Sequence, residues 1–265
     1  MPDAETDPGA GQPGGTRLRL LGPVRTVGDD ELIRLYDYPP DHRGPWVRAN
    51  FIASLDGGAT VEGTTAALGG PVDRALFAVL RELADVILVG AGTVRVEGYA
   101  GAQLTVAQRQ RRQARGQSEV PPLAIVTKSG DLHRDLPVFT RTEVAPLVLT
   151  CAAAFGETQR RLGGLAEVID CSGDDPAEVE HAPILAALAG HGLHRVLTEG
   201  GPALLGWLLD RGLLDDMCLT IAPCLVGGQA GRIAAGPGQG ETRMRCAHVL
   251  ADADGYLYTR YVKTD

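Results

Sequence analysis

The chain has 265 residues, 44% of them hydrophobic, and a formal net charge of −8, which suits one domain with a substantial buried core. No apolar run approaches the roughly 18 residues that a membrane-spanning helix needs, and the opening residues carry no export signal, so a cytoplasmic protein without a membrane partner is expected. The acidic balance argues against broad nucleic-acid binding while leaving room for local positive sites.

Met1 to Thr16 is rich in Gly, Pro, Asp and Thr, and reads as a disordered tail. Residues 17–45 form an N-terminal extension, and one domain is expected over 46–265. Within it, extended runs near 46–54, 86–90, 123–127, 147–150, 166–169 and 195–198 alternate with helical patterns near 71–84, 154–162, 183–190 and 202–210. That order predicts an α/β fold whose mostly parallel central sheet is flanked by helices. In the first helix Pro71 and Asp73 mark the start, and Leu76, Val79, Leu80 and Leu83 form the inward stripe, with Arg81 off it. The basic segment Gln108 to Arg115 reads as a solvated surface helix or loop. Met217 to Ala222 and the Tyr-rich stretch from Gly255 to Val262 follow glycine-rich turns and read as antiparallel C-terminal edge strands. Such edges would serve a homodimer.

The segment Arg195 to Leu205 carries the strongest signal. Arg195 to Thr198 suits a buried strand, Gly200 and Gly201 let a ligand approach the backbone, and Pro202 starts a helix whose Leu204, Leu205, Leu208 and Leu209 face inward. The free N–H groups and dipole of that helix favour an anion, so the turn reads as a phosphate cradle, with an ordinary strand-to-helix turn as the bland alternative. Ala84 to Val94 repeats the device with Gly90, Gly92 and Thr93; Arg95 stands where a G-x-G-x-x-G fingerprint needs its third glycine. Two such ends can hold two ends of one phosphate-bearing ligand. A third piece is the strand Trp46 to Ser54, with Asn50 lodged inside it, which runs into Leu55-Asp56-Gly57-Gly58. Five cysteines, Cys151, Cys171, Cys218, Cys224 and Cys246, lack C-x-x-C spacing, so reduced core thiols are expected and no metal. No G-x-S-x-G or other triad pattern is present.

The order of S-L-D-G, A-D-x-I-L-V-G-x-G-T-V and E-G-G-P-x-L-L resembles the reductase domain of riboflavin biosynthesis, from Trp46 to the C-terminus. The resemblance implies a dihydrofolate-reductase-like fold and hydride transfer from NADPH to an aminopyrimidine ribosyl phosphate, a small-molecule substrate. It puts the cofactor against Ile52, Ala53, Ala67, Thr93, Glu97 and the run Gly201, Pro202, Ala203, Leu204 and Leu205, beside Gly90, Gly92 and Gly200. Lys128, between Thr127 and Ser129 at a strand end, suits the 2′-phosphate of NADPH, with a surface lysine on a turn as the alternative. Thr65, Arg81 and Glu199 fall on the family's substrate contacts; Arg81 reads as a phosphate ligand and Glu199 as an acceptor for ring N–H groups. Glu199 and Asp56 are the candidate catalytic residues, with turn formation as the alternative role of Asp56.

Departures from the family pattern bear on the substrate. Asn50, kept among the substrate contacts, stands where the family has lysine, and Gly58 where it has arginine or lysine. Glu97 replaces aspartate, without the proline that customarily follows. Two fewer cations beside the cleft leave open a pterin substrate such as dihydrofolate, and a non-catalytic NADPH-binding protein as a further alternative. The H-x-E and P-C-x-x-C motifs of a zinc deaminase are absent, so that activity is not expected.

Overall fold

The computed structural model describes residues 25–238 and 240–264, and the chain divides into two units, residues 1–35 and 36–265. The tail expected over 1–16 lies outside the described residues. In the first unit, α1 (Asp29–Leu35) opens with Asp29, Asp30 and Glu31 in its first turn, where the helix dipole favours negative charge.

Among the described residues the second unit is built on nine strands: β1 (Trp46–Ser54), β2 (Val86–Gly90), β3 (Leu123–Val126), β4 (Leu147–Thr150), β5 (Glu167–Asp170), β6 (Arg195–Thr198), β7 (Asp216–Ala222), β8 (Met244–Ala251) and β9 (Leu257–Lys263). The helices between them are α2 (Pro71–Leu83), α3 (Ala91–Val96), α4 (Val106–Ala114), α5 (Pro137–Thr140), α6 (Ala152–Leu162), α7 (His181–Gly190) and α8 (Pro202–Asp210). The strands lie in the order β5-β4-β3-β2-β6-β1-β7-β9-β8. β5 through β7 run parallel, while β9 is antiparallel to both β7 and β8. The fold is α/β, a mostly parallel central sheet flanked by helices with an antiparallel C-terminal edge.

β2 and β3 are apolar throughout because both faces of the sheet are covered. In β2, alternate residues serve two cores. Val86 and Leu88 join Val47, Ala49, Val196 and the α8 residues Leu204, Leu205 and Leu208. Ile87 and Val89 join Leu123, Ile125 and Val148 on the other face.

The sequence reading of the last strands needs correction. β7 is no edge strand; it pairs in parallel with β1 from Arg48↔Asp216 to Ser54↔Ala222, is antiparallel to β9 alone, and lies third from the sheet's end. The reason is the connection, since a strand reached through a helix, here β6–α8–β7, returns parallel. The antiparallel edge is made by β9 and by β8, a strand that the sequence reading did not anticipate.

The parallel β1–β7 register also buries three charges. Asp216, fully buried, accepts from Arg48 Nε and Nη2 at 2.9 and 2.7 Å and from Arg260 Nη2 at 2.7 Å. Arg48 further donates to the Tyr36 carbonyl at 2.5 Å and lies over the Tyr38 ring, 4.0 Å from its centroid. Tyr36 packs edge-on against His248, whose pKa burial lowers to about 4.

A second correction concerns Gln108 to Arg115. The segment is helical, but Arg112 is fully buried, not solvated. It donates to the carbonyls of Glu82 and Ala84 at the end of α2, at 2.9 and 2.5 Å. Arg111 and Arg115 bind the buried Glu82 carboxylate at 2.7 and 3.1 Å. The arginines therefore cap the C-terminus of α2, satisfying carbonyls that no helical N–H reaches. Of the five thiols, all free, Cys151, Cys171 and Cys218 are buried as expected, whereas Cys224 and Cys246 are exposed. Among the described residues no helix is long and apolar enough to cross a membrane.

Candidate active site

Leu88 of β2 and Ala49 of β1 both align with Thr198 of β6, so three parallel strands run side by side; β6 and β2 end close to this level, while β1 continues to Ser54. At their carboxyl ends, where open α/β sheets place ligands, a cleft of about 810 Å³ opens, a size that suits a small organic ligand.

The two glycine turns meet in this cleft. The Gly90 N–H donates to the Gly200 carbonyl at 2.7 Å, and the Glu199 N–H to the Leu88 carbonyl at 3.1 Å. Gly200 has φ +97°, and a Cβ there would lie 3.1 Å from the Phe51 ring, so this position needs glycine on two counts. Gly201 is the N-cap of α8, and no side chain caps it. With proline at the next position, the amides of Ala203 and Leu204 are the first N–H groups left for a ligand. A Cβ on Gly201 would stand 2.5 Å from Thr93 Oγ1, whereas one on Gly92 would meet nothing within 4 Å.

Facing these turns, Arg81 donates to Glu199 through Nε and Nη2, both at 2.7 Å, and the Tyr99 hydroxyl adds a third bond at 2.8 Å. The Glu199 side chain is 1% exposed and that of Arg81 17%. Arg81 also lies over the Phe77 ring, 4.3 Å from its centroid. Burial works against the Arg81 charge, but the facing carboxylate outweighs it and the pKa is raised. Burial, followed by the charge of Glu199, lifts the Tyr99 phenol well above its ordinary value, so the hydroxyl stays a donor. The Thr65 hydroxyl donates to Glu97 at 3.3 Å.

Of the residues singled out from sequence, Asn50, Ile52, Thr65, Arg81, Gly90, Gly92, Thr93, Glu97, Glu199, Gly201, Pro202, Ala203 and Leu204 line the cleft. Others do not. Ala53 is buried in β1, Leu205 in the core under α8, and Gly200 behind the Phe51 ring; Ala67 is exposed beside Ala66, which does line it. Lys128, Thr127 and Ser129 lie past the end of β3, outside the cleft lining. Lys128 is ion-paired with Glu178 on the surface; Thr127 and Ser129 accept from the N–H groups of Gly130 and Asp131.

Asp56 lies elsewhere. It does not line the cleft, and its carboxylate accepts from the Ser54 hydroxyl at 2.5 Å and from the Val226 and Gly227 N–H groups at 3.1 and 2.7 Å. Those bonds lower its pKa to about 2. Asp56 fastens the loop after β7 to the loop after β1, and the turn-forming alternative describes it. The Arg81 guanidinium is engaged by Glu199 through Nε and Nη2.

Asp73, Arg74, Phe77 and Tyr99 line the cleft and were not anticipated. A signal for two of them existed. Asp73, Phe77 and Arg81 recur at i, i+4 and i+8 on the face of α2 beside its buried stripe, and a second face bearing functional groups implies a second surface to serve.

Fold and cleft together define an α/β protein with a cleft of small-molecule size at the carboxyl ends of its parallel strands. The comparisons specify it. The model of the family described as RibD C-terminal domain matches residues 45–258. A 2,5-diamino-6-ribosylamino-4(3H)-pyrimidinone 5′-phosphate reductase of Archaeoglobus fulgidus is 30% identical over 189 residues, 70% of this chain and 83% of that protein. The reductase of the same name from Methanothermobacter thermautotrophicus is 30% identical over 190 residues, 71% and 82% of the two chains. The crystal structure of a pyrimidine reductase-like protein from Corynebacterium diphtheriae matches with a TM-score of 0.72 and 27% identity, covering 83% of this chain and 92% of that one. The chain belongs to the RibD C-terminal domain family and is an oxidoreductase of the reductase type.

Proposed function

We propose that the chain is an NADPH-dependent reductase of a ribosylaminopyrimidine 5′-phosphate. The observation that carries this reading is the joining of two glycine turns, through the Gly90–Gly200 hydrogen bond, opposite the Arg81–Glu199 pair in one cleft. The named activity of the two archaeal relatives supports it.

The residues present fit a dinucleotide. The uncapped N-terminus of α8 and the bare backbone at Gly92 and Gly201 offer N–H donors and close approach to a pyrophosphate. Ile52 provides an apolar wall. We assign Lys128, with Thr127 and Ser129, to the adenosine 2′-phosphate, for which Lys128 exchanges its surface partner Glu178. When bound, the cofactor supplies the hydride, and the protein orients the two reactants and excludes water. Arg81 and Tyr99 hold Glu199 as a fixed acceptor, and the guanidinium N–H groups that Glu199 leaves, with the Thr65 hydroxyl, serve the sugar phosphate. The exposed edge of β8 supports a homodimer, because an unpaired strand edge is a ready template for a second copy.

The test is loss of NADPH absorbance on adding the diaminopyrimidinone ribosyl phosphate to the purified chain; no turnover despite tight NADPH binding would favour the non-catalytic alternative. One observation favours a second reading. With Arg81 neutralised by Glu199, and asparagine at position 50, Arg74 is the remaining cation among the described lining residues, and this reduced positive charge suits a ring without a phosphate, such as a pterin. Dihydrofolate belongs in the same assay.

A further inference from the structure

Four of the side chains that line the cleft, Asp73, Arg74, Phe77 and Arg81, come from α2. Arg81 stands in its last turn and meets Glu199 through two bonds of 2.7 Å. A bidentate pair holds only where both donors keep their length and direction, so a small slide or rotation of α2 loosens it. What fixes the end of α2 therefore acts on the cleft.

The Leu80 carbonyl takes the Ala84 N–H, but the Asp85 N–H goes to the Arg195 carbonyl and that of Ile87 to Pro122. The carbonyls of Arg81, Glu82, Leu83 and Ala84 are left to other donors. All four are met from α4 and the turn that follows it. Arg112 Nη1 reaches the carbonyls of Arg81, Glu82 and Ala84 at 3.4, 2.9 and 2.5 Å. Arg115 Nη2 adds a bond to Glu82 and Gln117 Nε2 one to Leu83, both at 3.1 Å. Arg112 thus serves three of the four, and its own Nε is held by the Ser118 carbonyl at 2.8 Å.

The strand that carries Glu199 is tied to the same turn. Gln117 Nε2 also donates to Asp85 Oδ1 at 2.7 Å, and Asp85 Oδ2 accepts from the N–H groups of His194 and Arg195 at 3.2 and 2.9 Å. Arg195 opens β6, which ends one residue before Glu199. We propose that Arg112 is a positioning residue of the cleft: by clamping the last turn of α2 it holds Arg81 in bidentate register with Glu199, and it sets substrate affinity without touching the substrate. The effect on substrate rests on the reductase reading above; the effect on the pair does not.

The experiment runs the Arg81–Glu199 double-mutant cycle, Arg81→Met and Glu199→Gln in urea unfolding, in the full chain and again with Arg112→Met. The coupling should fall to about half or less. A coupling equal to the parent's overturns the proposal, because a residue that only stabilises the fold lowers all four corners of the cycle alike. Where Arg112→Met does not fold, Arg112→Lys, a point charge without the fork that spans three carbonyls, carries the same test. On the reductase reading, Arg112→Lys should lower kcat/KM for the diaminopyrimidinone ribosyl phosphate about tenfold or more. The loss should come chiefly through KM, with NADPH affinity unchanged and no further loss in an Arg81→Met background. A parent-like kcat/KM, equal weakening toward cofactor and substrate, or a further loss in that background overturns the proposal. If the parent turns over no substrate, the reductase reading fails and the unfolding cycle alone decides Arg112.

Discussion

Removing Arg81 while keeping Glu199 tests whether the pair is the buried, bidentate unit that the cleft is built around. In Arg81→Met the long apolar side chain still covers Phe77, but the Glu199 carboxylate, 1% exposed, keeps only the Tyr99 hydroxyl of its three side-chain donors. Breaking a fully buried pair from one side is destabilising by about 3 to 5 kcal/mol. Because the Arg81 side chain retains 17% exposure, the lower end, about 3 kcal/mol, is expected. Substituting both partners, Arg81→Met with Glu199→Gln, removes the uncompensated charge and should bring the loss back to about 1 kcal/mol. The assay is urea unfolding at pH 7 followed by far-ultraviolet circular dichroism on parent, both single variants and the double variant, with the coupling read from the cycle. A single-variant loss below about 1 kcal/mol, or additive single losses, would refute the reasoning, since either means that water solvates Glu199 in place of Arg81.

Gly201→Val should fold yet bind NADPH at least about tenfold more weakly, because its Cβ would already stand 2.5 Å from Thr93 Oγ1 and its methyls enter the space before the α8 amides; parent-like affinity in a fluorescence titration would move the phosphate site elsewhere. Lys128→Ala should lose most of the preference for NADPH over NADH, about tenfold for one charge-assisted contact, and Glu178→Gln, which frees Lys128 from its surface partner, should strengthen it; equal affinity of the parent for both cofactors would remove the assignment. The pKa of His248, lowered to about 4 in the fold by burial, makes stability depend on pH. The unfolded chain, with a histidine pKa of about 6.5, binds the proton first. Its stabilising effect is complete above about 6.5 and declines as the pH falls toward 4. Unfolding midpoints at pH 7.5 and 5 should differ less in His248→Gln than in the parent, and an identical difference would place His248 in solvent.

The glycine turns were legible from sequence because their requirement is local. A strand that must end, a backbone that must come close to a ligand and a helix that starts on proline each leave their mark within a few adjacent residues, so Gly90, Gly92, Thr93 and Gly201 to Leu204 were placed at the cleft. α2 and α8 were legible for the same reason, their buried leucines recurring at helical spacing, and α6 and α7 were read near 154–162 and 183–190, whereas the short α3 and α5 were not anticipated. Arg112 was misread because its partners are carbonyls at the end of another helix. A basic run looks the same whether it meets water or an uncapped helix terminus.

Sequence alone thus determined the layered α/β order, the strand-to-helix turns and the candidate set from which the cleft is drawn. Tertiary structure decided which candidates touch. Arg81 meets Glu199 across 118 positions and Arg48 meets Asp216 across 168, and the β1–β7 register that brings Thr220 beside Ile52 follows from a parallel pairing between strands far apart in the chain. Hydrogen bonding and desolvation act over a few ångströms. Their partners are set by sheet register and helix placement, which no local pattern of residue types encodes.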